Sequence, residues 1–210
     1  MSNVKPKKNT ALILIHCLLV ALELIALIHD IYSFGLGSFR YYTIDSNVLQ
    51  MFVSGAIIYI LAIRHGEKPG LLVTVAHLIC AVCLTITFLI ALFVLAPQEG
   101  FAYYFLTNVA PINHLLGPFL SVASFLFAKY DSVPPRKALL APMAATLIYG
   151  VILLALNWLR ITDGPYFFLR IHDEAPATVI MWFSIISVLC LALSGAYMWI
   201  RKKYVERLHS

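Results

Sequence analysis

The sequence predicts an all-α membrane protein: a single domain over residues 1–210, folded as a polytopic transmembrane bundle of six helices with both termini cytoplasmic. Hydrophobic residues make up 61% of the chain, and the mean hydropathy is +0.88. Charged residues make up only 12%, about half the share found in soluble domains. Composition therefore excludes an ordinary soluble fold, and the distribution of Lys and Arg predicts the orientation.

Six segments are candidates for the helices, because a helix needs about 20 largely apolar residues to cross a hydrocarbon core of roughly 30 Å. They run approximately over residues 10–31, 45–64, 70–96, 103–128, 137–158 and 177–200. The first contains Glu23, and no small-residue cleavage pattern closes it, so we expect a retained span rather than a signal peptide. The second begins in a polar cluster, prolines interrupt the fourth, and the sixth follows an aromatic loop and ends in a basic tail.

The basic residues are distributed unequally between the two predicted sides. One side carries Lys5, Lys7, Lys8, Arg64, Lys68, Lys129, Arg136, Lys137, Arg201, Lys202, Lys203 and Arg207, and the other carries Arg40, Arg160 and Arg170. Short loops rich in Lys and Arg stay cytoplasmic, so both termini are expected inside. The net charge of +5 is then a topology signal. No basic surface with interleaved aromatic residues predicts a nucleic-acid partner.

The cysteines fall inside predicted spans, where a disulfide framework is not expected. They are Cys17, Cys80, Cys83 and Cys190. The Cys80–Cys83 spacing suits a metal pair, but no second pair completes a site, and packing is the favoured interpretation. The sequence predicts no metal site and no cofactor.

Span one places three ionisable side chains seven residues apart, which puts them on one side of a helix. His16, Glu23 and Asp30 should face the bundle interior, because exposing Glu23 to acyl chains would cost roughly 2.5–3.5 kcal/mol or more. His77 in span three is a candidate partner for Glu23. The alternative for His16 and His77 is an interhelical hydrogen bond that only fixes packing.

Span four contains "TNVAPINHLLGPF", in which Pro111 and Pro118 lie on either side of Asn113 and His114. Each proline removes a backbone hydrogen bond. Kinked helices at membrane depth persist where freed carbonyls face protein or a polar cavity. His114 is therefore expected to face an interior polar cavity, and a kink needed only for packing is the alternative.

Span two begins with "TIDSN", four polar side chains directly before an apolar run. Thr43 could be a nucleophile with His114 as its base. Asp45, Ser46 and Asn47 could then support the cavity, with Asn47 or Asn113 donating to an oxyanion and Asp45 in reserve as an orienter of His114. The alternative role for Asp45 or Ser46 is an N-cap that accepts backbone N–H bonds.

The order of these features resembles the androgen-induced family of six-span membrane proteins, and a bacterial-type branch of it. The resemblance lies in "RYYT" at 40–43 with Asn47 four residues on, in the His-then-Pro pattern of span four, in "PPRKALL" at 134–140 and in "GPYFFL" at 164–169. It implies an intramembrane threonine hydrolase of fatty acid esters of hydroxy fatty acids, with Thr43 as nucleophile and His114 as base. The residues after the threonine are more polar here than in the animal members.

The resemblance implies an integral membrane lipid-ester hydrolase in the cell membrane, with membrane lipids and an apolar ester substrate as partners and no protein partner expected. Two alternatives stay open. One is a small transporter or ligand-binding membrane protein in which Glu23, His16, His77 and Asp45 form a proton or cation relay. The other is a lipid acyltransferase that uses the same Thr and His.

The loop before span six, "RITDGPYFFLRIHDEAP", is too aromatic for an ordinary solvated connection. Tyr166, Phe167 and Phe168 are expected to fold back as a lid over the cavity. The alternative is an aromatic belt that rests at the lipid headgroups.

Overall fold

The computed structural model describes residues 10–64, 68–128 and 133–209 of the chain. Every regular element in these ranges is a helix. Four of the basic residues that predict the orientation, Lys5, Lys7, Lys8 and Lys129, lie outside the described residues.

The α-helices of the described ranges fall into long and short ones. They are α1 (Thr10–Phe34), α2 (Tyr42–Ile58), α3 (Leu71–Ile90), α4 (Ala96–Glu99), α5 (Phe101–Phe105), α6 (Gly117–Phe127), α7 (Ala141–Trp158) and α8 (Pro176–His209). Short 3₁₀ turns cover Gly35–Arg40, Arg136–Leu140 and Phe167–Leu169, and π-helical turns cover Tyr59–Ile63, Ala91–Leu95 and Ile112–Leu116.

Five continuous helical segments of the described chain are long and apolar enough to cross a membrane. They are Thr10–Arg40, Tyr42–Ile63, Leu71–Glu99, Arg136–Trp158 and Pro176–Leu208, and the apolar segment Ile112–Phe127 is shorter. The chain is therefore a helical membrane protein with several spans.

Helix α3 occupies the centre of the bundle, since it contacts α2, α6, α7 and α8. Its side chains at Leu78, Val82 and Leu84 are fully buried. On the outer helices, by contrast, large apolar side chains such as Ile28 and Val188 are exposed. Acyl chains are as apolar as these side chains, so exposure at this depth carries no hydrophobic penalty.

The fourth predicted span, over 103–128, is divided rather than only kinked at its prolines. Helix α5 ends at Phe105, and Asn108 adopts a positive φ of 47°, a left-handed conformation that helices do not continue through. The chain resumes a helical path at the π-helical turn Ile112–Leu116. Pro111 directly precedes that turn and Pro118 lies in the first turn of α6, where a missing N–H is tolerated.

Arg201 near the end of α8 is fully buried. Its Nη1 donates to the backbone carbonyls of Leu126 and Ala128 at the end of α6. The last carbonyls of a helix have no intrahelical partner, and a cation is also favoured by the helix dipole at that end. This basic residue therefore closes α6 as well as belonging to the predicted cytoplasmic tail.

Candidate active site

Thr43 lies in the first turn of α2, which begins at Tyr42. No side-chain cap within the helix satisfies its first N–H groups, and neither Asp45 nor Ser46 precedes the helix. The predicted capping role of Asp45 or Ser46 is therefore wrong. The helix starts three residues earlier than the polar cluster suggested, because the 3₁₀ turn Gly35–Arg40 leads directly into it.

Tyr166 from the loop before α8 takes the capping position instead. Its phenol group hydrogen-bonds with the Thr43 hydroxyl and with the backbone of Tyr42 and Thr43. Burial raises the pKa of Tyr166 to about 12, although these three hydrogen bonds partly offset the shift. The phenol therefore stays protonated at neutral pH, and its oxygen accepts from N–H groups that have no partner inside the helix.

The loop that carries Tyr166 folds back onto the bundle. Phe168 and Leu169 are buried, and the Phe168 ring stacks on Trp182 of α8 with centroids 5.1 Å apart. Tyr166 also stacks on Phe168, at 5.4 Å. At Gly164, an added Cβ would meet the backbone carbonyl carbon of Leu169 at 2.6 Å, so only glycine allows this close return of the chain.

His114 lies in the π-helical turn before α6. Its Nδ1 is 3.3 Å from the carbonyl oxygen of Ala110. Because a carbonyl oxygen only accepts, Nδ1 carries the proton in this contact and a neutral ring keeps Nε2 basic. The backbone of Tyr104 also approaches the ring, and the Tyr104 and Phe105 rings meet it edge-on at 5.5 and 6.1 Å.

Thr43 and His114 both line a small apolar cavity, which we call the inner pocket. It has a volume of about 60 Å³. Its walls are mainly apolar side chains of α3, α7 and α8, among them Ile86, Ile90, Leu147, Phe183 and Ile186. At Gly150 of α7, a Cβ would lie 2.8 Å from Cζ of Phe183, so the glycine lets that ring form part of the wall.

A larger and more polar cavity, which we call the outer cavity, shares lining residues with the inner pocket. Its volume is about 450 Å³. It is lined by polar side chains that include Asp30, Gln98, Glu99, Thr107, Asn113 and Arg170. Thr43, His114 and Tyr166 line both cavities. In the described structure Thr43 and His114 are not hydrogen-bonded to each other, although they border the same space.

No protein-family model, curated protein or solved structure matches the chain.

Two of the predicted supporting residues lie away from this junction. Asp45 borders a separate surface cavity with Arg40 and Tyr149, so it does not orient His114. Ser46 donates to the carbonyl of Tyr42 at 2.8 Å, and its hydroxyl lies 3.3 Å from that of Thr87 on α3. Asp45, two positions after Thr43, points to a different side of the helix, because successive residues are 100° apart.

The stripe predicted in span one is confirmed. His16 is 0%, Glu23 2% and Asp30 5% exposed. The predicted partner of Glu23 is wrong, since both of its carboxylate oxygens lack a hydrogen-bond partner among the described residues. His77 instead bonds through Nε2 to Ser124, at 2.9 Å.

The two intramembrane histidines belong to a buried polar cluster deeper in the bundle. His16 Nδ1 is 3.0 Å from the Ser54 hydroxyl, and its ring meets the His77 ring edge-on at 5.2 Å. Gln50 donates to Ser54 at 2.8 Å and accepts from Ser121 at 2.5 Å. These contacts join α1, α2, α3 and α6. They support the alternative interpretation of His16 and His77, in which interhelical hydrogen bonds fix the packing of the helices.

The described residues contain no group of three or more His, Cys, Asp or Glu side chains placed to hold a metal. Sequence reasoning did not identify Tyr166 as a contact of Thr43, nor Gln50 as the link between α2 and α6. The aromatic "GPYFFL" was a usable signal for Tyr166. For Gln50, a single buried amide in an apolar run was the only signal.

Proposed function

We propose that the protein is an integral membrane hydrolase of lipid esters, with Thr43 as nucleophile and His114 as general base. One observation carries the proposal: both residues border the inner pocket and the outer cavity, at the boundary between them. The inner pocket is apolar and the outer cavity is more polar. A lipid ester is divided in the same way, with an apolar acyl chain on one side of the carbonyl and, in many lipids, a more polar portion on the other. The resemblance to the androgen-induced family gives the two residues the same roles.

The chemistry proceeds in two steps that share the same proton route. Thr43 Oγ attacks the ester carbonyl while Nε2 of His114 takes the hydroxyl proton. The C–O bond to the alcohol breaks, His114 returns the proton to the departing alcohol, and an acyl-threonine remains. Water then attacks the acyl carbon with His114 again as base, which releases the fatty acid and restores the Thr43 hydroxyl.

The developing oxyanion needs donors beside Thr43. The N–H groups of Tyr42 and Thr43 and the phenol of Tyr166 are placed there. Asn47 and Asn113 are less suitable than the sequence suggested, since their amide nitrogens already donate, Asn47 to Asn113 and Asn113 to Asp30. A substrate carbonyl would take over N–H bonds that the Tyr166 oxygen now accepts.

The inner pocket limits the acyl group that fits without rearrangement. At about 60 Å³, this pocket is much smaller than the outer cavity at about 450 Å³, so it accepts a short acyl group rather than a long one. Short-chain esters are therefore the expected substrates of this conformation, and longer chains require the Tyr166 loop or Phe183 to move.

The proposed setting is the cell membrane, crossed six times, with both termini on the cytoplasmic side and membrane lipids as the source of substrate. The crossing added to the five long helical segments is the fourth in chain order, the divided segment that ends in α6. Topology reporters fused after Arg64 and after Pro97 should report opposite sides of the membrane. Two cytoplasmic reports would contradict this arrangement.

The activity test uses purified protein in lipid bilayers and a panel of lipid esters with acyl chains of increasing length. Thr43→Ala should abolish cleavage, and His114→Ala should lower it by about 10²–10⁴-fold. Thr74→Ala and His172→Ala are matched controls, because these residues bond to nearby backbone carbonyls and border neither cavity. An added lysolipid acceptor distinguishes hydrolysis from acyl transfer. Full activity in both Thr43 and His114 variants would refute the proposal.

A further inference from the structure

Four buried polar residues form a chain between α1, α2 and the π-helical turn before α6. Asn113 Nδ2 donates to Asp30 Oδ2 at 2.9 Å. Asn47 Nδ2 donates to Asn113 at 3.3 Å for the backbone oxygen and 3.4 Å for Oδ1. Asn47 Oδ1 and Glu23 Oε1 both lie beside Gly117: an added Cβ there would be 3.0 Å from the first oxygen and 2.6 Å from the second, so the two oxygens are at most about 5.6 Å apart. The order is thus Glu23, Asn47, Asn113, Asp30.

Two amides in series have one donor end and one acceptor end, because each amide offers N–H on one side and C=O on the other. Here the donor end meets Asp30, so the acceptor end meets Glu23. An ionised carboxylate only accepts. This series of two amides can therefore donate a hydrogen bond to one ionised carboxylate but not to two.

The contacts at the Glu23 end agree with this restriction. Glu23 Oε1, Glu23 Oε2 and Asn47 Oδ1 are all buried without a hydrogen-bond partner in the described part of the chain. The other ionisable groups that interact with Glu23 are Asp30 on its own helix and the Cys80 thiol on α3, and neither supplies a positive charge. Acceptor oxygens facing one another in lipid-depth protein are costly unless a hydrogen lies between them.

The Asp30 end is the better place for a negative charge. Asp30 lines the outer cavity, accepts the Asn113 N–H, and has His29 Nδ1 at 3.5 Å from its Oδ1. Glu23 borders neither of the two cavities. The two acids thus differ in access to polar surroundings although they lie on one helix face.

We propose that Glu23 and Asp30 form a proton-binding site that holds one proton between them, with the proton on Glu23 and donated to Asn47 Oδ1 while Asp30 is ionised. This inference does not depend on ester cleavage.

Infrared spectroscopy of the full chain in lipid bilayers tests the proposal, because a protonated carboxyl has a C=O stretching band separate from carboxylate bands. The wild-type protein at neutral pH should show one such buried band. Glu23→Gln should lose it completely and keep the fold, since a Gln amide can donate to Asn47 Oδ1 as the protonated acid does. Glu99→Gln is the control: that exposed carboxylate accepts from Tyr104, and the band should stay.

A second variant tests the link to the amide chain and remains informative if Glu23→Gln does not fold. Asn47→Leu removes the acceptor, so the Glu23 band should move to higher frequency. Three results would each overturn the proposal: no protonated-carboxyl band in the wild type, a band that survives Glu23→Gln, or a band unmoved by Asn47→Leu. If a bound cation rather than a proton occupied the Glu23 end, the wild type would lack the band and sodium would raise its Tm.

Discussion

Replacing Tyr166 by Phe removes one oxygen and leaves the ring in place, so it isolates the hydrogen bonds of the phenol at the start of α2. The backbone N–H groups of Tyr42 and Thr43 would lose their acceptor. Losing a helix cap costs about 1 kcal/mol, and a buried donor left unsatisfied costs about 1–3 kcal/mol. We expect the free energy of unfolding to fall by about 1–2 kcal/mol, which is about 2–8 °C in Tm for a chain of this size.

Thermal unfolding of purified protein in detergent or bilayers measures this change. Tyr103→Phe is the matched control, since Tyr103 is exposed and its hydroxyl has no hydrogen-bond partner in the described structure. Its Tm should stay within about 1–2 °C of the wild type, because surface substitutions usually change stability by about 0.5 kcal/mol or less. Equal Tm values for the two variants would refute the capping role of Tyr166.

The same comparison has a defined pH dependence. The pKa of Tyr166 is raised to about 12, above the ordinary tyrosine value of about 10, so the folded state holds the phenol proton more tightly than the unfolded state. The stabilisation is fully present below pH ~10 and is lost as the pH rises through about 12. The stability difference between wild type and Tyr166→Phe should therefore shrink over this window, and a constant difference would contradict the burial of the phenol.

Two glycine substitutions test the close contacts around the site, with Gly37→Ala as control because a Cβ there meets nothing within 4 Å. Gly164→Ala should release the loop and lower stability by about 1–3 kcal/mol, because its Cβ would overlap the backbone of Leu169, which cannot turn aside. Gly117→Ala should cost less, because the nearest atom, Glu23 Oε1, is the end of a side chain that can shift, and alanine gains about 1 kcal/mol over glycine in a helix. Protease cleavage of the loop and Tm measure these changes, and a Gly164→Ala variant as stable as Gly37→Ala would contradict the close return of the loop.

Features that repeat along one helix could be predicted from the sequence. The seven-residue spacing of His16, Glu23 and Asp30 places them on one face of the helix. Because a carboxyl group that faces acyl chains is energetically unfavourable, that face is expected to be buried in the bundle. The prolines around His114 likewise indicated an interrupted segment. The sequence did not show that the interruption would include a left-handed residue at Asn108 and divide span four.

Contacts between helices could not be predicted in the same way. Glu23 and His77 were plausible partners by depth, but the rotation of α1 and α3 about their axes decides which side chains meet, and the sequence does not fix that rotation. The cap of α2 was missed for a related reason. Local patterns favour Asp45 or Ser46, whereas the capping oxygen comes from Tyr166, more than a hundred residues further along the chain.

The central claim is that Thr43 is the nucleophile, and identification of the residue that becomes covalently modified tests it most directly. Wild-type protein in bilayers is treated with a fluorophosphonate probe, which reacts with activated hydroxyl groups, and the modified peptide is sequenced by mass spectrometry. Thr74→Ala serves as the control for general loss of threonine. We predict one adduct, on Thr43, that is unaffected in Thr74→Ala, absent in Thr43→Ala and strongly reduced in His114→Ala. Ester cleavage by a protein that forms its adduct at another residue, or labelling of Thr43 that does not depend on His114, would contradict the account.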